Sequence, residues 1–486
     1  MKNIIKIFMA LALMVSTTGC EDYLETSSSD EISADLMYTD VSGAQFVLSG
    51  IYRDMRDATS NTGGGVLTTL RHCTSVYGDE MATVRIGNSF NYWCDHDYNY
   101  DLINTTSSVP QLNWNYFYKL IANCNSILEN IEAANGEQIT KDHISGQALA
   151  IRAYSYFWLV RMFAPPIDTE LGVPLYETVD ISGAPRSTVG EVYTKVIEDF
   201  NTAIGLLEGY ERPDKHYINK EVVQGMLAYT YLTHEEWALA ANMANQARQN
   251  YPLMNREEFR SGQNNENLPE WMWVIKQQED QRQNWSTLLK FWGTYGGIDN
   301  NYKTWSPRFF ISANLASKIE PTDVRHQFYD YKEQILEIND TDTIFFTATD
   351  KFWESYREED YMMGDVSWMR GAEMYLIEAE GLLRSGDPSG ATTVLNELQI
   401  TREATPTEAT LQNILLERSK ELYGEGYSYF DLIRNDLPVI RTAPQRAYTG
   451  MPAHDWSWIQ QIPIDEITTN PFINEIDQNP IEGSYK

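Results

Sequence analysis

The chain has 486 residues and carries 37 Lys+Arg against 69 Asp+Glu, a formal net charge of −32. A surface of that sign repels phosphate backbones and anionic headgroups, which excludes nucleic-acid binding and peripheral membrane docking as primary roles. Four cysteines in this length, with no CxxC and no Cys/His ligand spacing, exclude a disulfide scaffold and a structural zinc site.

Lys2 and Lys6 stand before and at the start of an apolar run, Ile7 to Val15, that gives way to Ser16, Thr17, Thr18, Gly19 and Cys20. Charged, apolar and small-residue parts in that order make a secretory signal, and the run is too short to span a bilayer. Residues 1–19 are therefore expected to be removed. A Cys directly after Gly at the cleavage point resembles the lipobox of bacterial lipoproteins, in which that Cys is acylated, so Cys20 is the expected lipid anchor; Thr17 stands where the usual box carries Leu. Several acyl chains suit the task, because each buried methylene contributes about 0.8 kcal/mol and one chain holds a protein only marginally. The plain alternative is a secreted protein in which Cys20 is incidental. Loss of Lys2 and Lys6 leaves 35 basic against 69 acidic residues, a mature charge of about −34. No later segment is apolar for long enough to span a membrane.

Residues 20–40 are polar and Ser-rich after the anchor and read as a tether. The spacing of Phe46, Leu48, Ile51, Tyr52 and Met55 predicts a helix over 41–57, and Phe117, Leu120, Ile121, Cys124, Leu128 and Ile131 predict another over 114–134. A third runs from Ile144 to Phe163 and stops at Ala164, Pro165 and Pro166, since proline lacks the donor and restricts its predecessor. The fourth starts at Thr188, which forms a capping box with Glu191, and buries Val192, Val196, Phe200, Ala203 and Leu207. Residues 220–233 and 235–250 form an antiparallel pair with Ala238, Ala241 and Ala244 at the crossing, beside Leu239 and Met243. A second pair spans 369–385 and 388–402, with a turn at Gly386, Asp387 and Pro388. Such pairs point to tetratricopeptide-like repeats. The stretches 60–113, 252–310, 333–366 and 436–486 lack helical period and read as long loops, which carry function more often than structure. The expected fold is mainly α, a tetratricopeptide-like scaffold of helical pairs with long aromatic-rich loops and minor β. The chain divides into a helical region over 41–250 and a C-terminal region over 251–486.

The order of motifs resembles the SusD/RagB family of outer-membrane lipoproteins. The residues that carry the likeness are "SGIYRDM" at 49–55, "GDE" at 78–80, "QALAIRAYSYFWLVRMFAPP" at 147–166 and "PRSTVGEVYTKVIEDFNTAIGLL" at 185–207. They continue with "MRGAEMYLIEAEGLLRSGD" at 369–387, "LLERSKELYGEGYSYFDLIR" at 415–434 and "QIPIDEITTNP" at 461–471. The resemblance implies a non-enzymatic, cell-surface nutrient-binding protein that sits as a lid on a TonB-dependent, SusC-like transporter barrel. It implies no cofactor and no single ligand class, glycan or peptide. The acidic residues after Cys20 fit the surface-export signal of such lipoproteins.

Motifs for chemistry are weak. Glu417, Glu421 and Glu425 share one helix face with Arg418 between them, and Glu373, Glu378 and Glu380 stand beside Arg370. Carboxylate pairs can serve a glycosidase, yet acids on a regular helix beside Leu415, Leu416 and Leu422 read as structural ion pairs. Asp95, Asp97, Asn99 and Asp101 have the alternate spacing of a calcium loop, without its central Gly, where Tyr100 stands, or its closing Glu, where Thr106 stands. A solvated loop is the expectation, with no metal. His96 and His143 lack a partner at ligand spacing, and "NTGGGVL" at 61–67 lacks a phosphate-binding lysine.

The aromatic loops remain. Phe90, Tyr92, Trp93, Tyr98 and Tyr100 gather in one, with Asn88, Asn91 and Asp95 among them. Trp285, Phe291, Trp292, Tyr295, Tyr302 and Trp305 gather in another, broken by glycines. A sugar ring offers a C–H face for stacking and a hydroxyl rim for amides and carboxylates, and both loops supply that mixture. The candidate binding residues are Asn88, Asn91, Tyr92, Trp93, Asp95, Trp285, Trp292, Tyr295, Tyr302 and Trp305. The expected function is capture of an oligosaccharide and its delivery to the barrel. Two rivals keep different chemistry: peptide binding on the same fold, and a secreted glycoside hydrolase.

Overall fold

The computed structural model describes residues 37–56, 66–84, 105–106, 108–179, 182–261, 265–276, 308–339, 342–349, 351, 365–440, 450–481 and 483–486. Cys20, the ten candidate binding residues and the calcium-like run at 95–101 lie outside them. Among the described residues, no helix is long and apolar enough to cross a membrane.

Helix α1 (Val41–Arg56) buries Ala44, Leu48, Ile51, Tyr52 and Met55. Phe46, expected with them, is 69% exposed. Two positions before Leu48, it lies about 160° round the helix, on the opposite face. Helices α2 (Val66–Tyr77), α3 (Ser108–Asn130) and α4 (Gln138–Phe163) follow. Helix α4 is buried on all sides from Ile144 onward and ends at Ala164, before the two prolines. Helix α5 (Val189–Leu206) starts from the predicted box: Glu191 N–H donates to Thr188 Oγ1, and Thr188 N–H donates to the Glu191 carboxylate at 2.8 Å. Its stripe of Val192, Val196, Phe200 and Ala203 is buried. Arg152 ties α3, α4 and α5 together, reaching both Asp199 oxygens at 2.7 and 2.9 Å and Asn125 Oδ1 at 2.8 Å.

Helices α6 (Lys220–Thr233) and α7 (Trp237–Ala247) form the expected antiparallel pair. After the short α8 (Arg256–Arg260) and the strands described below, α10 (Gly371–Arg384) and α11 (Pro388–Thr401) form the second. Asp387 caps α11, with Pro388 at its first position where no N–H is missed. The pairs then pack on each other, α10 against α7. Gly381 makes this possible: a Cβ there would stand 2.6 Å from Trp237 O and 2.8 Å from Ala241 N. Ala240, Ala241, Ala244 and Ala247 line the crossing, whereas Ala238 and Leu239 face outward. Helices α12 (Leu411–Glu421), α13 (Ser428–Arg434) and α14 (Ile464–Thr469) complete the set.

The stretches read as loops contain regular structure. The first holds α2 and the opening turns of α3, and the last holds α14. Strands β1 (Met81–Val84), β3 (Arg308–Ile311), β4 (Tyr329–Asn339) and β5 (Asp342–Thr349) form one antiparallel sheet in the order β1-β3-β5-β4. The β4–β5 ladder runs from Tyr329 opposite Thr349 to Asn339 opposite Asp342. Strand β2 (Trp271–Ile275) pairs with β6 (Val366–Arg370), and β7 (Val439–Ile440) with β8 (Gly450–Met451). Helix α2 escaped the period test because Thr68, Thr69, Arg71 and Thr74 interrupt Leu67, Leu70 and Tyr77, and threonine is a poor helix former. The main core cluster takes residues from Tyr38 to Ile462.

Candidate functional site

The "GDE" run starts the site. A Cβ at Gly78 would lie 2.2 Å from Ser428 Oγ, so only glycine lets α2 turn into β1 against the start of α13. Asp79 then accepts from Ser428 Oγ at 3.3 Å. Glu80 goes inward: its carbonyl accepts from Ser312 N–H at 2.8 Å and its carboxyl from Gly424 N–H at 3.2 Å. Burial pushes the Glu80 carboxyl well above the usual carboxylate range. Ser312 in turn caps the short helix α9 (Ala313–Ala316), accepting from Leu315 N–H at 3.2 Å.

An open groove of about 640 Å³ lies against these residues. One wall offers Asp79, Ser312, Asn314 and Lys318; the other is α12, with Asn413, Leu415, Leu416 and Ser419. Leu432 and Leu437 extend the apolar surface. Leu415 and Leu416, read as core, are half-buried groove walls, while Leu422 is core. The volume suits a ligand of a few rings or residues. Its chemistry is an aliphatic floor with amide, hydroxyl and carboxylate groups at the rim.

The far face of α12 explains its placement. Glu421 meets three guanidinium groups: Arg402 at 3.0 Å, Arg370 at 2.7 Å and Arg325 at 3.1 Å. Burial opposes its charge, but the three arginines outweigh burial and hold Glu421 well below the usual range. Arg325 also takes Glu417 at 2.5 Å and Asp323 at 2.7 Å. Glu270 bridges Arg370 and Arg402, at 2.6 Å to each. Glu425, in the turn after α12, is held by Arg370 and Lys351, both at 2.7 Å; they overcome its burial and depress its pKa to about 2. The acids are thus engaged by arginines from other elements. Arg418 does not pair with Glu421 as its spacing predicts; its Nε donates to Asp431 at 2.8 Å. Nor does Arg370 serve its own helix: Glu378 pairs with Arg248 at 2.6 Å, Glu380 with Arg434 at 2.5 Å, and Glu373 accepts from Tyr427 OH at 2.6 Å. No local spacing signals these partners, which stand from 13 residues apart (Arg418 and Asp431) to 130 (Arg248 and Glu378) in the chain.

Val84 is opposite Arg308 at the end of the β1–β3 ladder, and Met81 opposite Ile311 at the other. Residues 85–104 continue from Val84, and residues 277–307 lead into Arg308. The two aromatic-rich stretches are therefore joined to the frame at paired positions, about 10 Å along the ribbon from the groove. Of the other singled-out residues, His143 packs on the Tyr210 ring at 5.0 Å, and burial pushes the Cys124 thiol up to about 12.

A mainly helical frame of paired helices, a small antiparallel sheet and an open groove define a binding scaffold. Two family models match it in tandem, "Starch-binding associating with outer membrane" over residues 22–232 and "SusD family" over residues 274–481. The chain belongs to the SusD/RagB family. It is 23% identical to SusD-like protein P38 of Formosa agariphila, over 92% of this chain and 94% of that one. A SusD-like carbohydrate binding protein from Bacteroides vulgatus shares the fold with a TM-score of 0.78 and 24% identity, over 90% and 98% of the two chains. A laminarin binding SusD-like protein superposes with a TM-score of 0.70 and 19% identity, over 91% and 100%.

Proposed function

We propose that the protein is a glycan-binding lipoprotein of the outer membrane, anchored through Cys20 and facing the exterior. It captures oligosaccharide without chemistry and passes it to a partner TonB-dependent transporter of the SusC type. Membership of the family supports the role, and the laminarin-binding neighbour supports a sugar as ligand. The observation that carries the reading is the pairing of Val84 with Arg308. It joins both ring-bearing stretches to one strand pair, and in this reading Trp93 and Trp292 are the rings that stack on the ligand. Engagement of Glu417, Glu421 and Glu425 by buried cations supports binding over hydrolysis.

Titration calorimetry of the full chain against a glycan panel tests this. An oligosaccharide should bind, and Trp93→Ala or Trp292→Ala should each weaken it about tenfold, the cost of one stacked ring. Their melting temperatures should match that of the parent. Binding of peptides with no oligosaccharide bound overturns the reading.

One observation favours peptide as the second ligand class. Strand β1 is the edge of its sheet, and the groove beside it is walled by leucines, with no ring among its described lining residues. Edge pairing plus aliphatic pockets is how extended peptides are held. In that case Leu415→Asp abolishes binding and the two tryptophan variants leave it unchanged.

A further inference from the structure

A second cavity, of about 40 Å³, lies deep between α4, α6, β6 and the turn after α12. It admits one or two water-sized occupants and no sugar. Its wall carries Arg161, buried on α4 in a cage of four rings. Its guanidinium carbon sits 3.8 Å from the centre of Phe157, 4.1 Å from Phe430, 4.8 Å from Trp158 and 5.0 Å from Tyr229. Nε donates to the Phe157 carbonyl at 3.1 Å, whereas Nη1 has no acceptor and no carboxylate lies within ion-pair distance among the described residues. The Tyr229 hydroxyl, also in the wall, is buried without a partner.

Neighbouring charges do not supply the missing anion. Arg71, the second cation in the wall, reaches only carbonyls, those of Glu425, Ser367 and Trp368. Glu425 is committed to Arg370 and Lys351. Arg418, on α12, is matched by Asp431. Glu373 accepts from Tyr427 OH, and burial raises its pKa to about 7, so near neutrality it supplies less than a full charge. Two buried guanidinium groups therefore face a small void with less than their own charge opposite them. Rings compensate a buried cation in part, but they accept no N–H in its plane.

We propose that this cavity is a binding site for a small monovalent anion, chloride, held by the Arg161 guanidinium and the Tyr229 hydroxyl. The volume suits a small ion near the size of water. Such an ion would brace α4 against α6 and α13, since Phe157, Tyr229 and Phe430 come from these three helices.

Crystals of the protein soaked in sodium bromide give the direct test. An anomalous peak should appear in the cavity within hydrogen-bond reach of Arg161. Ordered water there, with no anomalous signal at saturating bromide, overturns the proposal, as do bromide peaks confined to the surface. In solution, the melting temperature should rise with chloride replacing gluconate at constant ionic strength. Arg161→Met should lose that rise. Should Arg161→Met fail to fold, Tyr229→Phe should weaken the rise. A chloride response unchanged in a folded Arg161→Met, or in Tyr229→Phe, counts against the site.

Discussion

Helices α5 and α12 each press one face into the molecule, but with opposite chemistry. Helix α5 buries Val192, Val196, Phe200 and Ala203, while α12 buries Ile414 together with Glu417, Arg418, Lys420 and Glu421. An apolar stripe is held by non-directional burial and tolerates a change of shape at modest cost. Charges in the interior are held only while every partner is in place, because each removed from water must be repaid by its neighbours. The wall of the groove that α12 provides is thus fixed by direction and distance, and α5 mainly by area, with the Arg152–Asp199 pair as a directional addition.

The largest expected effect breaks that contrast most sharply. Glu421→Gln leaves Arg325, Arg370 and Arg402 short of one charge in the interior, and should cost about 3–5 kcal/mol in urea unfolding. Val196→Ala, which leaves a small void under α5, should cost about 1–2 kcal/mol. Equal costs would mean that α12 is held by packing after all, and the distinction between the two helices would go.

Titration sharpens the same point. The folded pKa of Glu373 is about 7, above its ordinary 4.5. Stability from this group is complete below pH 4.5 and is lost as pH rises through about 7, on the order of 3 kcal/mol. Glu425 runs the other way: with a folded pKa of about 2, its contribution is present above its ordinary range and is lost as pH falls toward 2. Glu373→Gln, measured in chloride-free buffer, should therefore flatten the decline of stability between pH 4.5 and 7 and leave the acid limb intact. A decline that survives the substitution would assign it elsewhere.

These differences mark what was legible in the chain. Helices α4 to α7, α10 and α11 follow from apolar period, a capping box, a proline stop and a Gly-Asp-Pro turn, all local signals. Phe46 shows the limit, since a window that admits it cannot tell the two faces of α1 apart. The β4–β5 ladder lies in a stretch without helical period, where Ile344, Phe346 and Ala348 recur at every second position but Phe345 breaks the alternation. The groove was not legible at all: Asp79, Asn314 and Leu415 are brought together by long-range packing, and Gly78 reveals its role only once Ser428 stands beside it. Charge partners fail for the same reason. Spacing offered Arg418 to Glu421, and the fold delivered Arg402, Arg370 and Arg325 from three other elements.

The smallest effect completes the contrast, because it concerns a carboxylate of the same chemistry outside the interior. Glu177 reaches Lys195 of α5 at 2.7 Å, but its side chain is 66% exposed. Lys195 also meets Asp199 at 3.2 Å, so loss of Glu177 leaves no cation stranded. Glu177→Ala should change stability by less than about 0.5 kcal/mol, and added salt should shrink even that. The distance is the same as that from Arg370 to Glu421, also 2.7 Å, yet the expected cost is several-fold smaller. Water around Glu177 already solvates its charge, whereas Glu421 has only the three arginines to do so. A large effect at Glu177 would show that contact distance, and not surroundings, sets the worth of an ion pair in this protein.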